Sequence, residues 1–137
     1  MNRLFIPILL LFAIQVAAQT RPISSSMPAP VSPVNGSVAN NNQLFTWLAN
    51  GSVTYKIKIV EILGDQSPDE ALRSNKPHFE KDSLKDALIQ YPSSAPVFIK
   101  GKKYGWAVQY FNKERKSSGY GKTALFLGNA VLLERKK

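Results

Sequence analysis

Residues 53–63, VTYKIKIVEIL, place Tyr55, Ile57 and Ile59 at alternate positions and Lys56 and Lys58 between them. Side chains that alternate in direction with period two belong to an extended strand. An apolar row facing one way and lysines facing the other fits a sheet with one dry face and one wet face. No other stretch of the chain carries so clear a period, so it fixes the class of structure that the remaining segments must complete.

Three further stretches supply strands. In QLFTWL, Phe45 and Trp47 share one face. In KYGWAVQYF, Tyr104, Trp106, Val108 and Tyr110 lie on one face and Gly105, Ala107, Gln109 and Phe111 on the other, and GKTALFLG follows. LIQY before Pro92 reads as a short strand over Leu88 to Tyr91, with coil or turn at Asp82 to Ala87. An edge strand is expected near Val31 to Val34, because Pro30 and Pro33 lack backbone donors and are tolerated where a strand has a free side. The polar runs ANNNQ, NGS at Asn50 to Ser52, and NKERKSSGY mark turns, NGS being of hairpin type. Ser67, Pro68 and Glu70 form a capping box with proline at the first helical position, which predicts a short helix over Ser67 to about Ser74, stopped by Pro77. Six or seven short strands with turns between them describe a two-sheet sandwich.

The chain opens MNRLFIPILLLFAIQVAAQT, with Arg3, an apolar run from Leu4 to Ile14, and Ala17 and Ala18 before Gln19. This is the pattern of a secretory signal peptide, expected to be cut after Ala18. Its apolar run is shorter than the roughly 20 residues of a spanning helix. The expected organisation is a signal at 1–18, a proline- and serine-rich linker at 19–28, one sandwich domain at 29–128, and a basic tail at 129–137. The 137 residues less those 18 leave 119, enough for one core of ordinary domain size. With no cysteine in the chain, packing must hold that core without disulfides.

Few catalytic constellations are available. Cysteine nucleophiles are excluded, and His78, the one histidine, stands beside Pro77 in an apparent connection with no nucleophile elbow. A single histidine also argues against zinc. Asp65, Asp69 and Glu70 lack calcium-loop spacing and read as a solvated helix start. No phosphate-cradling glycine loop occurs. The expectation is a chain that is not an enzyme, with no metal and no cofactor. Asn35 to Ser37 and Asn50 to Ser52 match the N-linked acceptor pattern and are read as turns.

Lysine and arginine number 18 against 9 acidic residues, and removing Arg3 with the signal lowers the formal charge from +9 to +8. The excess concentrates at Lys100 to Lys103, Lys113 to Lys116 and Arg135 to Lys137. Such a charge promotes solubility and attracts anionic polymers.

Three features resemble the fibronectin type III domain, a seven-stranded immunoglobulin-like sandwich. They are Trp47 closing the second strand, the tyrosine-led YKIKI strand, and the run Phe98, Ile99, Lys100, Gly101, Lys102, Lys103, Tyr104 leading into a late strand. The family's pattern has leucine and proline where this chain has Phe98 and Lys100. The resemblance spans about Ala29 to Leu127 and implies an all-β, seven-stranded sandwich with the short helix inserted after the third strand. It also implies that Tyr104 is a tyrosine corner, its hydroxyl bonded to upstream backbone. Trp47, Tyr55, Tyr104 and Trp106 are then structural.

The chain also resembles small exported modules of Bacteroidetes-type bacteria, through Phe45 to Trp47, Glu61, Ser67 to Ala71, Tyr91 to Pro92, and Gly101, Tyr104 and Trp106. That resemblance implies a binding or scaffolding role in the periplasm, cell envelope or extracellular space. The implied partner is a protein or polysaccharide of the envelope, with peripheral membrane contact compatible and nucleic acid less favoured; no small-molecule substrate is implied. Asp82, Ser83 and Leu84 resemble the O-glycosylation pattern of the same bacteria. In the implied fold, Lys56 and Lys58 stand near Gln109 and Phe111 on an outward sheet face, beside the loop carrying Lys113, Arg115 and Lys116. Phe111 is then either an exposed anchor or a ring packed against that loop. The alternative is electrostatic capture of an anionic polymer, polysaccharide or nucleic acid, by the lysine-rich loops.

Overall fold

A computed structural model describes residues 28–49, 51 and 54–131. The expected signal peptide, residues 19–27 of the linker and residues 132–137 of the basic tail lie outside the described residues. Phe45, Trp47, Tyr55, Ile57, Ile59, Tyr104, Trp106 and Val108 form one buried cluster. Each comes from an alternating run, and two sheets facing one another are what bury all these rows at once.

The chain runs β1 (Pro30–Ser32), β2 (Ser37–Val38), β3 (Leu44–Trp47), β4 (Thr54–Ile62), α1 (Pro68–Ser74), β5 (Pro77–Leu84), β6 (Leu88–Gln90), β7 (Lys103–Phe111) and β8 (Ala124–Leu127). One sheet has the order β1-β3-β6 and the other β2-β8-β7-β4-β5. β2 lies parallel to β8, and the remaining pairs are antiparallel. This is an all-β two-sheet sandwich with a short helical insertion, as the sequence predicts, with eight strands where about seven are expected and the helix after the fourth strand instead of the third. Phe45 is its hub, with ring centroids 5.1 Å from Trp106, 5.7 Å from Phe126, 5.9 Å from Tyr91 and 6.0 Å from Phe98. Trp47 meets Tyr55 edge-on across the sheets at 5.6 Å.

The Ile99 N–H donates to the Tyr104 hydroxyl at 2.8 Å, and the Tyr104 ring is fully buried. This bond pins the 98–100 segment to the start of β7. The helix also follows the sequence. Ser67 Oγ accepts from the Glu70 N–H at 3.1 Å, and Pro68 occupies the first turn, where a missing N–H costs nothing. Asn35 and Gly36 form a turn, as read from the first sequon.

Four expectations are corrected. First, the edge strand foreseen at Val31 to Val34 divides: β1 pairs with β3 and β2 with β8, so the chain changes sheets around Pro33. Second, the NGS segment does not join a hairpin. β3 already has β1 and β6 as neighbours and β4 has β7 and β5, so the link crosses from one sheet to the other. Its residues Asn50 and Ser52 lie outside the described set. Third, the stretch assigned to connection and coil contains the eight-residue strand β5. Its register against β4 shifts twice, at Tyr55/Ile57 and Ile59/Val60, and these irregularities erase the period that would have revealed it. Fourth, His78 is not a loop residue. It lies half-buried in β5, stacked on Phe98 at 5.3 Å and edge-on to Tyr104 at 5.0 Å. Its Nε2–H donates to the Pro96 carbonyl at 3.0 Å.

At the boundaries, Pro28 is fully buried, and the Asn129 and Ala130 N–H groups donate to the Phe98 carbonyl. Among the described residues no helix is long and apolar enough to cross a membrane.

Candidate functional site

The outward face of the five-stranded sheet divides along β4 and β7. Register pairs Lys58 with Ala107, Lys56 with Gln109 and Thr54 with Phe111. At the far half of β4 the helix closes over the sheet: Val60, Ile62 and Ala107 are buried with Ala71 and Leu72, and Tyr120 and Leu125 pack alongside. The face expected to be wet is thus partly a second small core. Asn75 fixes the helix there by donating from Nδ2 to the Glu61 carbonyl at 2.8 Å and to Gln66 Oε1 at 2.7 Å. Thr123 Oγ1 donates to Asp69 at 2.9 Å, tying the helix to the segment that enters β8.

The two outward lysines of β4 have partners inside this arrangement. Lys58 Nζ donates to the Leu72 carbonyl at 2.6 Å, neutralising the negative end of the helix, and stands 5.7 Å from the Tyr120 ring centroid. Lys56 Nζ pairs with Glu80 at 2.5 Å. That hydrogen bond raises the Lys56 pKa above its ordinary value, against the opposing effect of desolvation. Burial raises the Tyr120 hydroxyl as well.

The loop after β7 is differently placed. Asn112 Oδ1 accepts from the Glu114 N–H at 2.9 Å and from the Lys116 N–H at 3.0 Å. The Asn112 N–H donates to the Lys116 carbonyl at 3.1 Å, and the Arg115 N–H to the Asn112 carbonyl at 3.0 Å. Arg115 itself adopts a left-handed conformation at φ 61°. One asparagine side chain thus closes a tight loop whose charged side chains project from a fixed backbone. Among the described residues, no ion pair or side-chain hydrogen bond engages Lys113, Arg115 or Lys116.

Phe111 lies at the base of this loop, half-buried, its backbone bridged to Ser117. It lines an open concavity of about 560 Å3 together with Thr54, Asp82, Ser83, Lys113 and Arg115. The structure thus brings Phe111, Lys113 and Arg115 together, leaves Lys116 in the same loop, and gives Lys56 and Lys58 internal partners. The sequence did not place Thr54, Asp82 or Ser83 beside Phe111, and singled out Asp82 and Ser83 only as part of an O-glycosylation pattern. Thr54 could have been found, since it continues the outward row of β4. Asp82 and Ser83 arrive only through the irregular register of β5.

The other described basic cluster lies at the opposite end of β7. Nine strand residues separate the ends by about 26 Å, and there Lys102 pairs with Glu61 at 3.2 Å. The lysines flanking the strand therefore form two separate sites. Trp47, Tyr55, Tyr104 and Trp106 are all buried. Ser83 is exposed. Among the described residues, no group of three or more His, Cys, Asp or Glu side chains could hold a metal ion.

No family model matches the chain, and a search of the curated proteins returns none similar to it. Among solved structures, the twitchin kinase region from C. elegans (Fn31-NL-kin-CRD-Ig26) is similar over 77% of this chain, with 17% identity and a TM-score of 0.44. This chain spans 17% of that one.

Proposed function

We propose that the chain is an exported, non-enzymatic binding module that engages a component of the cell envelope through the loop end of its larger sheet. The observation that carries this reading is the convergence of Phe111 with Lys113 and Arg115 on one concavity, where neither cation has a side-chain partner among the described residues. A loop held by its own backbone bonds loses little entropy when it binds, which favours recognition over a flexible basic tail's diffuse attraction.

Cosedimentation with a purified cell-envelope fraction of the host tests it. The double variant Lys113→Glu, Arg115→Glu is compared with Lys100→Glu, Lys103→Glu, which changes net charge equally at two exposed positions at the opposite end of β7. Loss of cosedimentation in the loop variant alone is expected. Equal loss in both, or no cosedimentation of the unaltered chain, would overturn the reading.

The electrostatic alternative is favoured by one observation, that the side chains of Lys113, Arg115 and Lys116 have no partner among the described residues. It predicts that elution from heparin and DNA columns shifts with total charge, equally in both double variants. The wide separation of the two described basic clusters weighs against it, since capture of a long polymer calls for a continuous stripe.

A further inference from the structure

We propose that the concavity beside Phe111 is a subsite for one ring of an acidic saccharide, a uronate within an envelope polysaccharide. This rests on the reading that the loop end is the binding face. The lining combines one aromatic ring, two hydroxyl side chains, one carboxylate and two cations. A sugar presents the matching set: an apolar C–H face for the Phe111 ring, hydroxyls that both donate and accept, and, in a uronate, a carboxylate for Arg115 and Lys113. Arginine forks onto carboxylates through paired hydrogen bonds, so it suits this ligand better than a point charge would. The volume, about 560 Å3, falls within the range of small-ligand clefts, roughly 300–1,000 Å3.

Asp82 decides against simpler anions. An ionised carboxylate only accepts hydrogen bonds, and beside two cations it lowers the attraction for a phosphate chain while offering an acceptor to a sugar hydroxyl. Nucleic acid is disfavoured further by the supply of rings. Binding a single strand relies on successive aromatic platforms, whereas Tyr104 and Trp106 are buried and Tyr110 packs against the core. A peptide extending the sheet is disfavoured at the neighbouring edge. There Ser83 sits at φ 56° and the β5 register shifts, so the row of backbone groups is broken.

Calorimetric titration of the full chain with an oligogalacturonate tests the assignment. Its methyl ester, which keeps the ring and loses the charge, and an oligodeoxythymidylate serve as comparison ligands. Binding of the oligogalacturonate is expected, weakened about tenfold or more by esterification, by Arg115→Gln and by Phe111→Leu. Unchanged thermal unfolding of each variant confirms that the fold is kept. Asp82→Ala separates the two chemistries: a saccharide site binds several-fold more weakly without that acceptor, and a bare anion site binds more tightly. Tighter binding in Asp82→Ala, equal binding of the ester, or equal binding of the oligodeoxythymidylate overturns the proposal. So does absence of oligogalacturonate binding. If envelope cosedimentation then still depends on Lys113 and Arg115, only the saccharide assignment falls. If that dependence is absent too, the binding-face reading falls with it.

Discussion

Replacing Tyr104 by phenylalanine removes a single oxygen, yet that oxygen is the acceptor for the Ile99 N–H. The ring would keep its place among Phe98, His78 and Phe126. The expected cost of Tyr104→Phe is about 1 kcal/mol, the net contribution of one hydrogen bond, read from the midpoint of denaturant unfolding. Gly128→Ala should cost more. A Cβ there would lie 2.2 Å from the Ile99 carbonyl oxygen, because the chain after β8 runs directly against the 98–100 segment. Backbone cannot yield as a flexible side chain does, so a loss of about 3 kcal/mol is expected by the same measurement. The bond of Tyr104 to upstream backbone was legible only through the resemblance that the Phe98 to Tyr104 run carries. Nothing around Gly128 announces its close approach, because the atoms it would strike are some thirty positions away in the chain.

At the scale of elements, α1 is a seven-residue helix, well below the length at which an isolated helix persists in water. Its stability must come from the sheet beneath it. Leu72→Ala, which empties part of the second core, is therefore expected to cost about 2–3 kcal/mol. Ser67→Ala, which removes only the cap, is expected to cost about 1 kcal/mol. Equal costs in unfolding experiments would mean that local capping holds the helix. The helix was legible because Ser67, Pro68 and Glu70 act within four residues. Its seat was not, since the pairing of Val60 and Ile62 with Ala71 and Leu72 depends on how the insertion folds back. β5 was illegible for a related reason. As an edge strand with exposed Glu80, Lys81, Asp82 and Ser83 and two register shifts, it has no dry row to display. The same features protect a free edge from pairing with another chain.

For the molecule as a whole, the buried tyrosines set the behaviour at high pH. Burial raises the pKa of Tyr91, Tyr104 and Tyr120 above the ordinary value of 10.0. The folded state then holds these protons more tightly than the unfolded state. Their contribution to stability is fully present below about pH 10 and is lost as pH rises through the elevated values. Lys56, raised from 10.5 by its bond to Glu80, has the same sign. Alkaline titration should therefore show phenolate absorbance from these three tyrosines appearing together with loss of the fold. Their smooth ionisation in a chain that remains folded would contradict the packing described above.

What the sequence determined alone was whatever depends on neighbours within a few positions. The alternation of Tyr55, Ile57 and Ile59 set a strand and its dry side, and the Ser67–Pro68 pair started a helix. Tertiary structure decided the partners. Lys56 and Lys58, outward lysines by period, find Glu80 and the Leu72 carbonyl only because β5 and α1 return to β4. Phe111, ambiguous by period, lines a concavity because Asp82 and Ser83 arrive from the far strand. Periodicity assigns a side chain to a face, but charge neutralisation and a binding wall require atoms distant in sequence to meet, and only sheet register brings them together.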